Sequence, residues 1–521
     1  MCGIIGYTGP GDGASIVLEG LKNLEYRGYD SFGFVLKSDS GMKIIKKVGK
    51  IAEFQGFSDN KRYSVAMGHT RWATHGAVTE ANAHPHTDCS GSIALAHNGI
   101  IENYQELRKE LKAKGHRFAS ETDSEVIVHL IEEYAKAKGF VEGAKLALKR
   151  LQGCYAVLAI SRDDDAIVAA RRGSPLVVGV GKGEYFIASD IPAFLKHTKR
   201  VVYLYDEDFV VISGDMKVYN LKTGAIVERK TDTIEWDIEQ AKKGEFQHYM
   251  LKEIAEQTET IKRASEQDPG IIKKVAEKIK QAYGVFFVGA GSSYHACLAA
   301  SYIFSKVAQR HINVVLASEF PNYEHFLTDK TLIIAVSQSG ETADVLKAVK
   351  AAKDRGSEVI SIANVMGSSI TRYSDHFLMM HAGPEICVLS TKTYTSQLAL
   401  LILLAYACAD KYDEGRRVLT YAWNQAYNLT SRNTKDFIKS LAERLKSKEH
   451  IFLIGRDLQY ATALEAALKI KEVSYIHAEG FAGGELKHGT IALIDKGTPC
   501  IVFASKDNER EILSNAMEIK S

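Results

Sequence analysis

With 521 residues, 45% of them hydrophobic and 25% charged, the chain has room for roughly two to four domains and ample core. A formal net charge of +2 supplies no basic field, so nucleic acid is not expected as a partner. The longest apolar run, Leu398 to Cys408, is shorter than the about 20 residues a membrane-spanning helix needs, so no membrane association is expected. The seven cysteines stand at 2, 89, 154, 297, 387, 408 and 500 with no Cys-x-x-Cys spacing, and no secretory pattern opens the chain. Both features point to reduced thiols in the cytoplasm.

The chain opens Met1-Cys2-Gly3-Ile4. Removal of Met1, usual before a small residue, gives Cys2 a thiol and a free α-amine together. The amine, with a reference pKa of roughly 7.7–8.0, can take the thiol's proton near neutral pH. Nucleophile and base then share one residue, suited to attack on an amide carbonyl through a thioester. Helices are predicted over Ala14–Glu25, Gln105–Lys114 and Ser124–Ala137, and strands over Ser92–Ala96, Tyr155–Ala159, Ala166–Arg171, Leu176–Val180 and Phe209–Ser213. The run His69 to Gly76 offers the Arg71 guanidinium for a carboxylate, with hydroxyl and imidazole partners beside it. Asn98-Gly99, after the apolar run Ile93 to Ala96, supplies a side-chain amide and a backbone N–H suited to an oxyanion hole. Asp123 can hold an ammonium group, although Thr122-x-x-Glu125 also spells a helix capping box. The pair His84 and His86 has no Cys or carboxylate at ligand spacing, so no metal is expected.

A charged stretch, Glu228 to Phe246, is the expected connection to a second half that contains a repeat. Val285-Phe286-Phe287-Val288-Gly289 matches Ile451-Phe452-Leu453-Ile454-Gly455, and Ser318-Glu319-Phe320 matches Gly484-Glu485-Leu486; Gly289 to Gly455 and Glu319 to Glu485 are both 166 positions. Each copy reads strand, glycine turn, helix, strand, which predicts parallel α/β units. On this symmetry the second copy stops at Ser521, opposite Arg355, and is expected to be incomplete. Three loops of the first copy, 289–293, 337–342 and 388–392, carry serines where ligands of α/β sheets bind. Hydroxyls together with helix N-terminal N–H groups suit a phosphate. No Walker sequence or dinucleotide Gly-x-Gly-x-x-Gly follows a strand, so a phosphorylated small molecule is favoured over ATP or NAD, and no cofactor is expected. Lys469 and Glu472 lie three apart on the predicted helix Ala463–Val473 and share its face, as a surface ion pair also would.

Cys2-Gly3-Ile4, Glu25 to Ser31, His69 to Gly76, His97-Asn98-Gly99 and Glu121-Thr122-Asp123 resemble the N-terminal-nucleophile glutamine amidotransferases. This resemblance implies an αββα sandwich. It makes Cys2 the nucleophile, Asn98 and Gly99 the oxyanion hole, Arg71, Thr74, His75 and Asp123 the glutamine-binding groups, and Trp72 the gate for ammonia. Phe32 departs from the family's usual Ala. Ser337-Gln338-Ser339-Gly340-Glu341-Thr342, Ser390-Thr391-Lys392-Thr393 and Glu479 to Gly489 resemble sugar-isomerase (SIS) domains. The union of the two resembles the glutamine–fructose-6-phosphate aminotransferase family. It implies conversion of fructose 6-phosphate and glutamine into glucosamine 6-phosphate and glutamate.

By the same resemblance, Ser292, Ser293, Ser337, Gln338, Ser339, Thr342, Val388 and Ser390 contact the sugar phosphate. Glu472 moves the proton between sugar carbons, Lys469 assists, and His488 opens the ring in a neighbouring subunit's site, which implies a homodimer. The family's C-terminal tail, whose lysine forms an imine with the sugar, has no counterpart here, which leaves two expectations: the sequence is a fragment, or its isomerase site lacks that group. The expected domains are an amidotransferase over 2–225, a linker over 226–246, a first SIS domain over 247–430 and a truncated second SIS domain over 431–521. The alternatives are a chain with glutaminase activity only, a phosphoribosyl amidotransferase, and a non-enzymatic sugar-phosphate sensor. The second would need an acidic pyrophosphate-sugar loop, which is not found; the third has no use for Cys2, Asn98 and Asp123 together.

Overall fold

The computed structural model describes residues 2–39, 41–58, 61–72, 76–234 and 243–521. The chain divides into two compact units at 242/243.

The first unit is built on two sheets. In one, the strand Gly3–Thr8 lies between Val65–Arg71 and Tyr185–Ala188, antiparallel to both, within an eight-stranded sheet. In the other, Ile93–Ile101 pairs with Gly153–Ser161 and with the short His86–Thr87 in a six-stranded sheet. Their inner faces meet through Ile4, Val35 and Met67 on one side and Ala94, Ala156 and Leu158 on the other. The helix Gly13–Asn23 covers the outer face of the first sheet with Val17 and Leu21. Helices Tyr104–Ala113, Glu125–Lys138 and Phe140–Lys149 cover the second with Leu107, Ile127, Ile131 and Ala144. The result is an αββα sandwich, held by alternation that buries apolar residues on both faces of each central strand.

Two sequence expectations change. The strand begun at Ile93 runs on to Ile101, so His97, Asn98 and Gly99 lie within it and not beyond its end. The first unit also does not end at 225: Thr231–Thr233 pairs with Arg200–Val202, and Ile234 is buried against the first sheet. The charge of this segment belongs to an edge strand, where polar side chains face water. Phe32 fits because it is buried and packs edge-on against Phe34 and Phe54.

The second unit contains two parallel sheets. The first has the order Asn313–Leu316, Gly284–Gly289, Thr331–Ser337, Glu358–Ala363, His376–Met379. The second has the order His477–Ala482, His450–Gly455, Cys500–Val502. In both, the first strand in sequence lies between the second and the third, so the chain reverses direction of winding there and leaves a crevice at the strands' carboxyl ends. The repeat is exact in position: strand 284–289 corresponds to 450–455 and helix 343–354 to 509–520, each shifted by 166. Even the strained turn is repeated. Gly291 has φ 54° and ψ −126°, and its counterpart Asp457 has φ 52° and ψ −129°, a conformation costly for any residue with a Cβ. Helices Ser292–Ile303 and Leu458–Ser474, which follow these turns, pack against each other. The apolar run singled out above is the helix Lys392–Cys408, sheathed on nearly all sides in the first core; no helix among the described residues is long and apolar enough to cross a membrane.

Candidate active sites

Cys2 stands at the start of the central strand of the first sheet, and its thiol is held from several directions. The Trp72 N–H donates to Sγ at 3.2 Å, and Sγ lies 3.6 Å from the Trp72 carbonyl. Burial pushes the thiol above its ordinary value, opposed by the Trp72 N–H and by the charges of Arg71 and Arg27. The Cys2 carbonyl accepts from Asn98 Nδ2 at 2.9 Å and from Arg27 Nε at 3.2 Å. Arg27 is itself tied to Asp190 at 2.8 Å. Trp72 packs edge-on against Tyr29, with ring centroids 5.0 Å apart.

Asn98 is oriented from behind. The fully buried His69 reaches Asn98 Oδ1 at 3.0 Å and the His97 carbonyl at 3.2 Å through the same Nε2. Burial holds His69 down at about 3, so the ring is neutral near pH 7, and two acceptors around Nε2 put its proton there. This fixes which end of the Asn98 amide is oxygen and turns Nδ2 toward Cys2. One N–H of that amide meets the Cys2 carbonyl, and its second can meet an oxyanion. Gly99 beside it has φ 131°, and a Cβ there would fall 2.0 Å from the Cys154 carbonyl, so only glycine fits.

Replacing His69 by Leu is expected to lower kcat for glutamine hydrolysis by about 10- to 10²-fold, with KM little changed, because an oxyanion donor loses its alignment. In the double variant with Asn98→Ala the losses will not add, since both act through one amide. Additive losses in steady-state kinetics would exclude this linkage.

Arg71 is buried and donates to the Gly76 and Ala77 carbonyls at 3.2 Å each. Thr74 and His75 lie outside the described residues. Asp123 is buried just ahead of the helix Glu125–Lys138 and accepts from the Ile101 N–H at 2.8 Å. The capping box spelled by Thr122-x-x-Glu125 does not form. Glu125 accepts from the Ala119 and Ser120 N–H groups, and Thr122 Oγ1 bonds His86 Nε2 at 2.9 Å. Glu125 therefore serves the loop before the helix and Asp123 the end of the strand Ile93–Ile101, and neither caps the helix N-terminus.

In the second unit the two repeats build one polar cluster. Lys469 Nζ lies 3.0 Å from Ser292 Oγ, 2.6 Å from Glu472 Oε2 and 3.4 Å from Glu465 Oε1. Glu465 also accepts from Ser292 Oγ at 2.7 Å and pairs with His295 Nδ1 at 2.8 Å. Lys469 and Glu472 are thus more than an ion pair on one helix, because a hydroxyl from the other repeat joins them. Glu465 and His295 were not anticipated, though Glu465 sits four residues before Lys469 on the same face.

Ser337 ends its strand and accepts the Gly340 N–H at 3.0 Å while sharing a hydrogen bond with Thr342 Oγ1 at 3.0 Å. Ser339 Oγ accepts from the Glu341 N–H at 3.2 Å, and the Gln338 carbonyl from the Asn364 N–H at 3.1 Å. This loop leads into the helix Ala343–Asp354, so the helix N-terminus and the loop hydroxyls meet at one place. Ser293 is buried in the first turn of its helix. Ser390 bonds Thr393 Oγ1 at 2.7 Å, and Val388 is 64% exposed. The loop carrying both is fastened at its start by Glu253, which accepts the Ile386 and Cys387 N–H groups at 2.6 and 3.0 Å and which burial pushes up to about 7. His488 is exposed on the turn Leu486–His488, and its side chain bonds none of these groups among the described residues.

A glutamine amidotransferase domain model matches residues 69–196, and an SIS domain model matches 278–407 and 444–521. The chain is 45% identical to a glutamine–fructose-6-phosphate aminotransferase [isomerizing] of Pyrococcus horikoshii, over 100% of this chain and 89% of that one. It is 45% identical to the protein of the same name from Methanothermobacter thermautotrophicus, over 100% of this chain and 88% of that one. Among solved structures, the C-terminal domain of glucosamine-fructose-6-phosphate aminotransferase from Francisella tularensis is 34% identical, covering 53% of this chain and 82% of that one with a TM-score of 0.49. An N-terminal thiol site followed by two SIS-type repeats, matched end to end by these relatives, makes the chain a member of the isomerizing glutamine–fructose-6-phosphate aminotransferase family.

Proposed function

We propose that the protein converts fructose 6-phosphate and glutamine into glucosamine 6-phosphate and glutamate. The observation that carries this reading is the convergence of Trp72 on the Cys2 thiol and of Asn98 and Arg27 on the Cys2 carbonyl, in a chain that also joins Ser292, Lys469 and Glu472 across two SIS repeats. After removal of Met1, the Cys2 amine takes the thiol proton as sulfur attacks the glutamine amide. Asn98 and Gly99 stabilise the oxyanion, and ammonia leaves as the thioester forms. Water then releases glutamate. Arg71, Thr74 and His75 hold the substrate's carboxylate end and Asp123 its ammonium group, while Trp72 gates the ammonia.

In the second unit, Ser337, Gln338, Ser339 and Thr342 bind the phosphate. Ser292, Ser293, Val388 and Ser390 line the sugar. Ammonia condenses at the sugar carbonyl carbon, and Glu472 carries a proton from the neighbouring carbon to that one, converting ketose to aldose, with Lys469 beside it to offset developing charge. The domains we assign are an amidotransferase up to residue 234, a first SIS domain over 247–430 and a second from 431. We also propose a cytoplasmic homodimer. His488 is exposed and pairs with no site group of its own chain among the described residues, as suits a side chain that serves a second copy's site.

The test is a paired assay on the purified protein with both substrates, quantifying glutamate and glucosamine 6-phosphate together. Equal yields support this reading and make the family's imine-forming lysine dispensable here. Glutamate formed without amino sugar would reduce the function to glutamine hydrolysis.

A further inference from the structure

Apart from both sites, the first unit gathers four side chains whose chemistry neither site uses. Cys89 lies in the turn between strands His86–Thr87 and Ile93–Ile101. His116 follows the helix Tyr104–Ala113. His129 and Glu132 stand three apart on the helix Glu125–Lys138 and so share a face. One donor atom from each residue lies within 4.8 Å of all the others. Cys89 Sγ is 3.8 Å from His116 Nδ1 and 3.6 Å from His129 Nδ1, and Glu132 Oε2 is 2.9 Å from the first imidazole nitrogen and 3.2 Å from the second. A tetrahedral zinc ion with Zn–S of about 2.3 Å and Zn–N or Zn–O of about 2.0–2.1 Å requires S–N edges of about 3.5 Å and N–O edges of about 3.3 Å. The observed S–N separations of 3.8 and 3.6 Å are slightly longer than this edge and the N–O separations of 2.9 and 3.2 Å slightly shorter, so small side-chain shifts admit the ion.

The surroundings fit as well. His116 Nε2 is 3.2 Å from Glu133 Oε2, and His129 Nε2 faces Glu125 Oε1 at 3.5 Å. With each Nδ1 lone pair on a metal, both rings are neutral; His116 keeps an Nε2–H bonded to Glu133, the usual support of a metal-bound histidine, and His129 keeps one near Glu125. The Arg117 N–H approaches Cys89 Sγ at 3.4 Å, as suits a thiolate. One thiolate and one carboxylate neutralise a divalent ion. Both histidines are buried, Glu132 is half-buried, and Cys89 is exposed, which leaves an entry path.

We propose that Cys89, His116, His129 and Glu132 form a structural zinc site. With four protein ligands it is closed to catalysis by the bound ion. It ties the turn after His86–Thr87 and the loop after Tyr104–Ala113 to the helix that begins directly behind Asp123. Through Glu125, which bonds Ala119 and Ser120, it braces the turn that presents that aspartate.

The full chain carrying Cys2→Ala, which removes the competing thiol, is stripped with a chelator and titrated with Co²⁺ and then Zn²⁺. Roughly one equivalent of Co²⁺ is expected to give a tetrahedral ligand-field spectrum with a thiolate charge-transfer band, displaced by Zn²⁺. Adding Cys89→Ser removes the charge-transfer band. Glu133→Gln, which leaves all four ligands in place, weakens Zn²⁺ binding by about 10- to 100-fold. No tetrahedral Co²⁺ spectrum in the Cys2→Ala protein, or a thiolate band that survives Cys89→Ser, overturns the proposal; the first result does so regardless of how the other variants fold.

Discussion

Glutamine hydrolysis is expected to fall by roughly 10⁴-fold or more when Cys2 is replaced by Ala, because the one change removes the atom that forms the thioester. The second unit shares no residue with this step, so binding of the sugar phosphate is expected to stay as it was. The shape of the pH profile discriminates further. Burial raises the thiol above its ordinary value, so Cys2 is protonated throughout the neutral range and needs a base at the moment of attack. If its own α-amine is that base, kcat/KM rises as the amine loses its proton and levels off above a pKa of roughly 7.7–8.0. If instead preformed thiolate limited the rate, kcat/KM would keep rising past the amine's titration toward that of the raised thiol. A profile of that second kind, or full activity in a chain that retains Met1, would remove the amine from the mechanism.

The elements of this site that were legible in the sequence are those written in one short run. Cys2, Arg71, Asn98-Gly99 and Asp123 each sit in a local string whose residue types announce their chemistry, and the repeat announced the two parallel sheets. What sequence could not give is pairing across strands and between distant segments. His69 orients Asn98 because Val65–Arg71 and Ile93–Ile101 belong to sheets stacked face to face. Arg27 reaches the Cys2 carbonyl only because Asp190, far along the chain, holds it there. Glu465 and His295 meet across the two repeats. Cys89, His116 and the His129–Glu132 pair have no spacing that marks a metal site, because they come from a turn, a loop and a helix that only the fold brings together. The capping box failed for a related reason. Local pattern predicted a bond within the helix, but the loop before it had buried N–H groups in need of an acceptor.

The second large effect is expected at Glu472. The structure offers two carboxylates near Lys469, and only one is available as a base. Glu465 is buried, and its oxygens are occupied by Ser292, His295 and Lys469. Glu472 pairs with Lys469 through Oε2 at 2.6 Å, and its side chain is 34% exposed, which leaves Oε1 to face a substrate. Glu472→Gln is therefore expected to lower amino-sugar formation by about 10²–10⁴-fold, the usual worth of a positioned general base, while glutamine hydrolysis stays within a few-fold. Glu465→Gln removes a charge that helps to set Lys469 and Ser292, and its loss is expected to be smaller, at most about 10²-fold. Hydrogen exchange separates the two roles. In D₂O, transfer between the sugar's first and second carbons, and any label acquired there, should vanish with Glu472→Gln and persist at reduced rate with Glu465→Gln. The reverse pattern would make Glu465 the base and leave Glu472 as the partner that holds Lys469.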